Sequence, residues 1–405
     1  MNINTNYVPV AGTFSKDSRF FGGRFPFHYV ESASGCQIKG DNGKWYIDWI
    51  SGLGASLVGY GHNDLTAYVA QCLAKGNGLS LPSYLEYQAA EKLCKLLNDH
   101  VTYWTSVPLQ VRWVNTGSDA CNAAIRLARA VTGKTVIANS GYRGWSDQFV
   151  SATPPAWGIP REYEQNIMPF NFGEMPPDAP SYAAVILEQP LGTPPKGYYQ
   201  QLRGFCDNHK CLLIIDEVVT GLRYALGGVS ELYGIQPDLM CLGKALSAGQ
   251  PLAALVGPTD YLQWFARTDP VFVSGTNAGN VGGLAAADWL LSQFDENDVA
   301  YLWHIGKRLI EKMSAAGAPI HGDAVRSIFT FNNDYEKAYF IWQMAENGII
   351  MNRPNFPTLA HTENIVDSTA YAAQRVMRDI QSYGQEALEI IVGKANLPVV
   401  LFRNR

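Results

Sequence analysis

Charge is scarce in this chain. Of 405 residues only 17% are Asp, Glu, Lys or Arg, and 36 acids against 31 bases leave a net charge of −5. That balance excludes a basic nucleic-acid surface as the main function. The seven cysteines, Cys36, Cys72, Cys94, Cys121, Cys206, Cys211 and Cys241, are odd in number and no pair has CxxC spacing. They predict neither a disulfide framework nor a structural zinc site. The N-terminus has no basic stretch followed by an apolar one, and no apolar run reaches the roughly 18 residues of a membrane span. These absences predict a soluble, cytoplasmic protein with no membrane partner. Internal repeats and low-complexity tracts are also missing, while 47% of the residues are hydrophobic, enough for a large core.

The length suits one large α/β domain with a smaller appendage. Between about residues 110 and 256, apolar runs alternate with helix-length stretches: Val111–Val114, Thr135–Ala138, Ala183–Leu187, Cys211–Ile215 and Leu239–Leu242. Runs without polar alternation predict parallel strands buried on both faces, in a doubly wound sheet. Gln37–Ile50 predicts a hairpin turning at Asp41-Asn42-Gly43, and the last hundred or so residues predict a smaller α+β unit. The expected division is 1–60, an N-terminal segment belonging to the small domain, then 61–290, the large domain, and 291–405, the small domain.

In an open parallel sheet the ligand lies outside the carboxyl ends of the strands, so the residues following each run are the informative ones. Val114 leads into Asn115-Thr116-Gly117-Ser118-Asp119 and an alanine-rich helix, a helix N-terminus suited to phosphate; the alternative is that Ser118 or Asp119 merely caps the helix. Thr135–Ala138 leads to Gly141-Tyr142-Arg143-Gly144, whose tyrosine would stack on a flat ligand or close the core. Glu188 follows one run and Asp216-Glu217 another, and carboxylates emerging from buried aliphatics demand partners. Lys244 follows Leu242-Gly243; a lysine held in a cleft loses its proton readily enough to act as a nucleophile. Amine, acid, aromatic plate and phosphate loop on one sheet edge meet the requirements of pyridoxal phosphate. Cys206, His209 and Cys211 straddle a helix end and a strand start and predict no metal site, and Gly52–Gly61 does not fit GxGxxG.

These segments resemble the class III (subgroup II) pyridoxal-phosphate aminotransferases, the glutamate-1-semialdehyde aminomutase branch most closely. Thr116–Ala120 resembles the Ser-Gly-Thr-Glu-Ala loop, and Gly141–Trp145 the Tyr-His-Gly segment. Leu213–Arg223 is similar to Phe-Asp-Glu-Val-Met-Thr-Gly-Phe-Arg, and Pro237–Ala245 to Pro-Asp-x-x-x-x-Gly-Lys. Ser274–Asn280 resembles Gly-Thr-Leu-Ser-Gly-Asn. The resemblance implies an aspartate aminotransferase-like, fold type I transferase. Lys244 would form the Schiff base and Asp216 would face the pyridine nitrogen. Tyr142 and Val218 would cover the ring faces, and Gly117 and Ser118 would hold the phosphate. Thr276 would arrive from the second subunit of a homodimer, and Glu188 aligns with the glutamate of a Glu-Pro motif.

The departures bear on substrate. Arg143 replaces the histidine of Tyr-His-Gly, Leu222 a phenylalanine, and Pro357-Thr358 a glutamate expected after Asn355-Phe356. For a substrate carboxylate, Lys16, Arg19 and Arg24 are the candidate cations. The reading favoured is an aminotransferase that passes through pyridoxamine phosphate, with a small-molecule amine donor and a semialdehyde- or keto-sugar-like carbonyl acceptor. An aminomutase is the first alternative, then a racemase or decarboxylase, then a non-catalytic cofactor-binding protein.

Overall fold

The structure is a computed structural model that describes residues 21–150, 158–178, 181–352 and 354–398. Near its start, β1 (Val30–Ser34), β2 (Gln37–Gly40) and β3 (Trp45–Asp48) form an antiparallel meander. The β2–β3 turn falls on Asp41-Asn42-Gly43, where Gly43 adopts φ +79° and Asn42 Oδ1 accepts from the Lys44 N–H at 3.1 Å.

The central sheet contains β4 (Leu109–Val114), β5 (Val136–Ser140), β6 (Ile167–Pro169), β7 (Tyr182–Leu187), β8 (Leu212–Asp216), β9 (Leu239–Leu242) and β10 (Ala253–Pro258), in the order β4-β10-β9-β8-β7-β5-β6. Every residue of β7, β8 and β9 is buried. Along β8, Leu212 and Ile214 pack under the alanine-rich helix Gly117–Thr132, whereas Leu213 and Ile215 face the core beneath Tyr198–His209 and Val281–Gln293. Helices on both faces explain why these strands are continuously apolar. Strand β10 was not among the predicted runs and is antiparallel to both neighbours. Only residues 243–252 separate it from β9, too few for a helical crossover.

Beyond the long helices Val281–Gln293 and Glu296–Ala315, the chain forms the hairpin β11 (Ile320–Asp323) and β12 (Arg326–Phe329), then β13 (Ile349–Ile350). Strand β13 pairs parallel with β3, Ile349 opposite Ile47, so the N-terminal meander and the C-terminal region share one sheet. Trp49 reinforces the junction by donating to Thr369 Oγ1 at 3.1 Å. Among the described residues no helix is long and apolar enough to cross a membrane.

Hairpin β11–β12 is seated on Gly306, where an added Cβ would lie 1.7 Å from the Ala324 carbonyl oxygen. Gly306→Ala should gain about 0.5–1 kcal/mol of helix propensity but lose about 1–3 kcal/mol or more to overpacking. Overpacking wins, and the urea midpoint should fall; an unchanged or higher midpoint would contradict this seating.

Candidate active site

The carboxyl edge of the central sheet gathers the chemistry. Register pairs Leu187 of β7 with Ile215 of β8, so the next residues, Glu188 and Asp216, emerge side by side. Lys244 follows β9 one strand further on, at φ +44°, a left-handed conformation that is costly for a residue with a side chain. From β4, the helix Gly117–Thr132 begins at the same edge. Its cap is Thr116 rather than Ser118: the Thr116 side chain accepts from Asp119 N–H at 3.1 Å, and Asp119 Oδ2 accepts from Thr116 N–H at 2.9 Å. This capping box leaves the remaining first-turn N–H groups directed out of the helix.

Two glycines allow the loops to close on one another. A Cβ at Gly144, which has φ +100°, would lie 2.1 Å from Ser118 Oγ, and one at Gly117 would lie 2.7 Å from Val218 Cγ1. The loops enclose a cavity of about 280 Å³, lined by Gly117, Ser118, Tyr142, Glu188, Asp216, Val218 and Lys244 among others. Seven of the eight residues singled out in the sequence therefore converge. Thr276 does not join them within one chain; it lines a small groove with Leu79, Leu81 and Glu86. A larger cavity of about 790 Å³, beside helix Tyr84–His100 and β4, contains none of these residues.

Charge dominates the floor of the site. Arg143 is 1% exposed; its Nη1 donates to Asp216 Oδ2 and lies 3.7 Å from Glu188 Oε2, and its Nη2 donates to the Ser140 carbonyl. The other Asp216 oxygen, Oδ1, accepts from Val218 N–H at 2.9 Å, and Cys121 Sγ lies 3.4 Å from Oδ2. From hairpin β11–β12, Arg326 Nη1 donates to Glu188 Oε1 at 2.8 Å. Burial pushes the Glu188 carboxyl up, but Arg326, Arg143 and Lys244 together outweigh it and hold the group below its ordinary value. Burial lowers the Lys244 amine, with Glu188 and Asp216 pulling the other way and losing. No hydrogen bond or ion pair ties Lys244 Nζ among the described residues.

Adjacent Glu217 is structural. It is fully buried and accepts from Ser230 Oγ at 2.7 Å and from the Ser230 and Val229 N–H groups at 2.8 and 3.1 Å. Arg223, of the signature segment, donates instead to the Pro357 and Gly54 carbonyls at 2.8 and 2.9 Å. A backbone carbonyl of Pro357 thus meets it where the resemblance leads one to expect a carboxylate.

Of the proposed carboxylate-binding cations, Arg24 lies over the Trp342 ring at 4.5 Å and does not line the cavity, while Lys16 and Arg19 lie outside the described residues. Arg326, which sequence reasoning missed, meets the site through Glu188, although it does not itself line the cavity. Its partner is 138 residues away in sequence, and nothing local to Arg326-Ser327-Ile328-Phe329 marks it.

Pyridoxal phosphate fits the donor set: an unpaired amine, a buried acid, a flat side chain, a helix N-terminus, and Asn115 Oδ1, buried at the cavity wall with no partner among the described residues. A doubly wound sheet presenting these groups at its carboxyl edge defines the α/β class of pyridoxal-phosphate transferases of fold type I. The class III aminotransferase family model matches residues 22–180 and 177–353, and the chain belongs to that family. Members of the family use pyridoxal phosphate. The chain is 30% identical over 392 residues to a glutamate-1-semialdehyde 2,1-aminomutase of Syntrophobacter fumaroxidans, covering 85% of this chain and 89% of that one. Its fold is shared with the pyridoxal-phosphate form of the FumI protein of Sphingopyxis sp. MTA144, at TM-score 0.80 and 22% identity over 97% of this chain and 96% of that one. It is shared too with a glutamate-1-semialdehyde aminomutase of Pseudomonas aeruginosa in complex with pyridoxamine phosphate, at TM-score 0.77 and 18% identity over 89% of each chain.

Because the folded-state value of Glu188 is depressed, the group stabilises the fold above the ordinary carboxylate pKa. That contribution disappears as pH falls through the lowered value. Arg326→Gln removes the 2.8 Å partner, so burial regains weight and the loss should begin at higher pH. The variant should also lose stability near neutral pH, by less than the roughly 3–5 kcal/mol of a wholly orphaned buried charge, because Arg143 remains. Urea midpoints between about pH 3 and 7 test both; parallel wild-type and variant profiles would contradict the assignment.

Proposed function

We propose that this chain is an aminotransferase that moves an amino group from a small-molecule donor to a semialdehyde- or keto-sugar-like carbonyl acceptor. The observation that carries the reading is Lys244, an unpaired lysine in a left-handed backbone conformation, sharing a cavity with Asp216 and a helix N-terminus. When bound, pyridoxal phosphate supplies an aldehyde that captures amines covalently and a ring that withdraws electrons as a proton leaves carbon.

The protein supplies the rest. Lys244 Nζ, held below the usual lysine range by burial, is the amine that anchors the aldehyde. Once a substrate amine displaces it, the same Nζ takes the proton from the amine-bearing carbon and holds it for return. Gly117 and Ser118 direct N–H groups of the helix start at the phosphate. Tyr142 and Val218 would flank the ring, Asp216 would face its nitrogen, and Glu188, paired with Arg326, would border the substrate side.

The protein works as a homodimer in this reading, with Thr276 reaching the partner's phosphate. Leu79, Leu81, Tyr84, Tyr87 and Phe272 are large, exposed apolar side chains, and Leu79 and Leu81 border the groove that holds Thr276. The described residues of 1–60 and 291–405 act as one small domain against those of 61–290, a division supported by the β3–β13 pairing; residues 1–20 and 399–405 lie outside the described residues. The second reading, internal amine exchange as in an aminomutase, draws support from the name of the relative at 30% identity.

An absorption spectrum tests the reading. Wild-type protein should carry a band near the visible edge, and one donor from a panel including glutamate and 4,5-diaminovalerate should convert it to the pyridoxamine form. Lys244→Ala should abolish that conversion and lower turnover by at least roughly 10²–10⁴. Absence of the band after adding pyridoxal phosphate would refute the assignment; isomerisation of a single amino-aldehyde by the pyridoxamine form, with no separate donor or acceptor consumed, would favour the aminomutase.

A further inference from the structure

Arg143 is the charged group in the site with no assigned task. It is held there by construction. Gly141, at φ +88°, turns the chain at the end of β5, and a Cβ on it would lie 2.7 Å from Arg143 Nη2, so only glycine leaves the guanidinium room to fold back. The Ser140 carbonyl fixes Nη2, and Nη1 sits between the two strand-end carboxylates, bonded to Asp216 Oδ2 and 3.7 Å from Glu188. The side chain is removed from solvent, so water does not screen these interactions.

Two consequences follow. Both Asp216 oxygens are already engaged, Oδ1 by the Val218 N–H and Oδ2 by Arg143 with Cys121 beside it. The local charge also closes without help: Arg143 and Arg326 offset Asp216 and Glu188, and Lys244 is pushed toward its neutral form. A proton on a ring nitrogen beside Asp216 would therefore face a carboxylate whose charge Arg143 already offsets.

Resting on the cofactor reading above, we propose that Arg143 is a positioning residue that shares the Asp216 carboxylate with the cofactor's ring nitrogen and holds that nitrogen less protonated than an unshared aspartate would. A carboxylate that already accepts from a buried guanidinium and from the Val218 N–H has less of its charge left to hold a proton on a third partner, so the ring nitrogen is the group that loses. A ring less protonated withdraws electrons from the reacting carbon less strongly. More of the proton handling would then fall on Lys244, whose amine is already lowered by burial.

The test is nitrogen NMR of the protein loaded with pyridoxal phosphate carrying ¹⁵N in the ring, for wild type, Arg143→Gln and Arg143→His, with Asp216→Asn as the unprotonated reference. The wild-type resonance should lie displaced from the protonated position toward that of Asp216→Asn, and both Arg143 substitutions should move it toward the protonated position. A merely structural arginine would leave the resonance where it was. A wild-type resonance at the protonated position, or one that coincides with those of the Arg143 variants, overturns the proposal. Should the variants fail to fold, the wild-type position against Asp216→Asn still decides. No bound resonance in any protein would refute the cofactor reading itself and the proposal with it, an outcome distinct from a bound but fully protonated ring.

Discussion

The site depends on charge compensation at the edge of a buried sheet. The β7–β8 register brings Glu188 and Asp216 out side by side, and two carboxylates leaving a continuous apolar core would repel each other where water cannot screen them. Arg143, from the loop after β5, and Arg326, from hairpin β11–β12, remove that penalty. The second pairing also docks the hairpin onto the large sheet. Asp323 of the same hairpin accepts from Tyr224 Oη at 2.7 Å and from the Gly192 N–H at 3.1 Å. The interaction that makes two adjacent acids tolerable thereby also fixes an element from near residue 320 against the strand ends that carry Lys244.

Much of this was legible in the residues. Parallel strands covered on both faces must be apolar without alternation, so β7, β8 and β9 stood out, and with them the residues that follow, Glu188, Asp216 and Lys244. The helix at Gly117 was legible from its small residues, although its cap is Thr116, two residues earlier than Ser118. Strand β10 was hidden because short antiparallel returns lack the strand–helix alternation that marks the others. Arg326 was hidden for a different reason: a pairing across 138 residues leaves no periodic trace. Arg143 was visible as a departure from Tyr-His-Gly, yet its burial beside Asp216 required the fold. Thr276 stands apart from the other seven, in a groove with Leu79, Leu81 and Glu86.

The arrangement explains why family membership constrains chemistry more tightly than substrate. Lysine, acid and helix N-terminus come from strand ends that the core itself aligns, so their relative positions are set by the sheet. The loops and the hairpin are less constrained: Arg223 meets backbone carbonyls, Arg24 rests on Trp342, and Arg326 pairs with Glu188 at the cavity.

The central claim is that Lys244, and no other amine, holds the cofactor. Reduction of the pyridoxal-phosphate-loaded protein with borohydride, followed by proteolysis and peptide mass mapping, tests it most directly. A single pyridoxyl adduct on the peptide containing Lys244 is the predicted result. An adduct on another lysine, or none on a protein that retains the cofactor, would contradict the account.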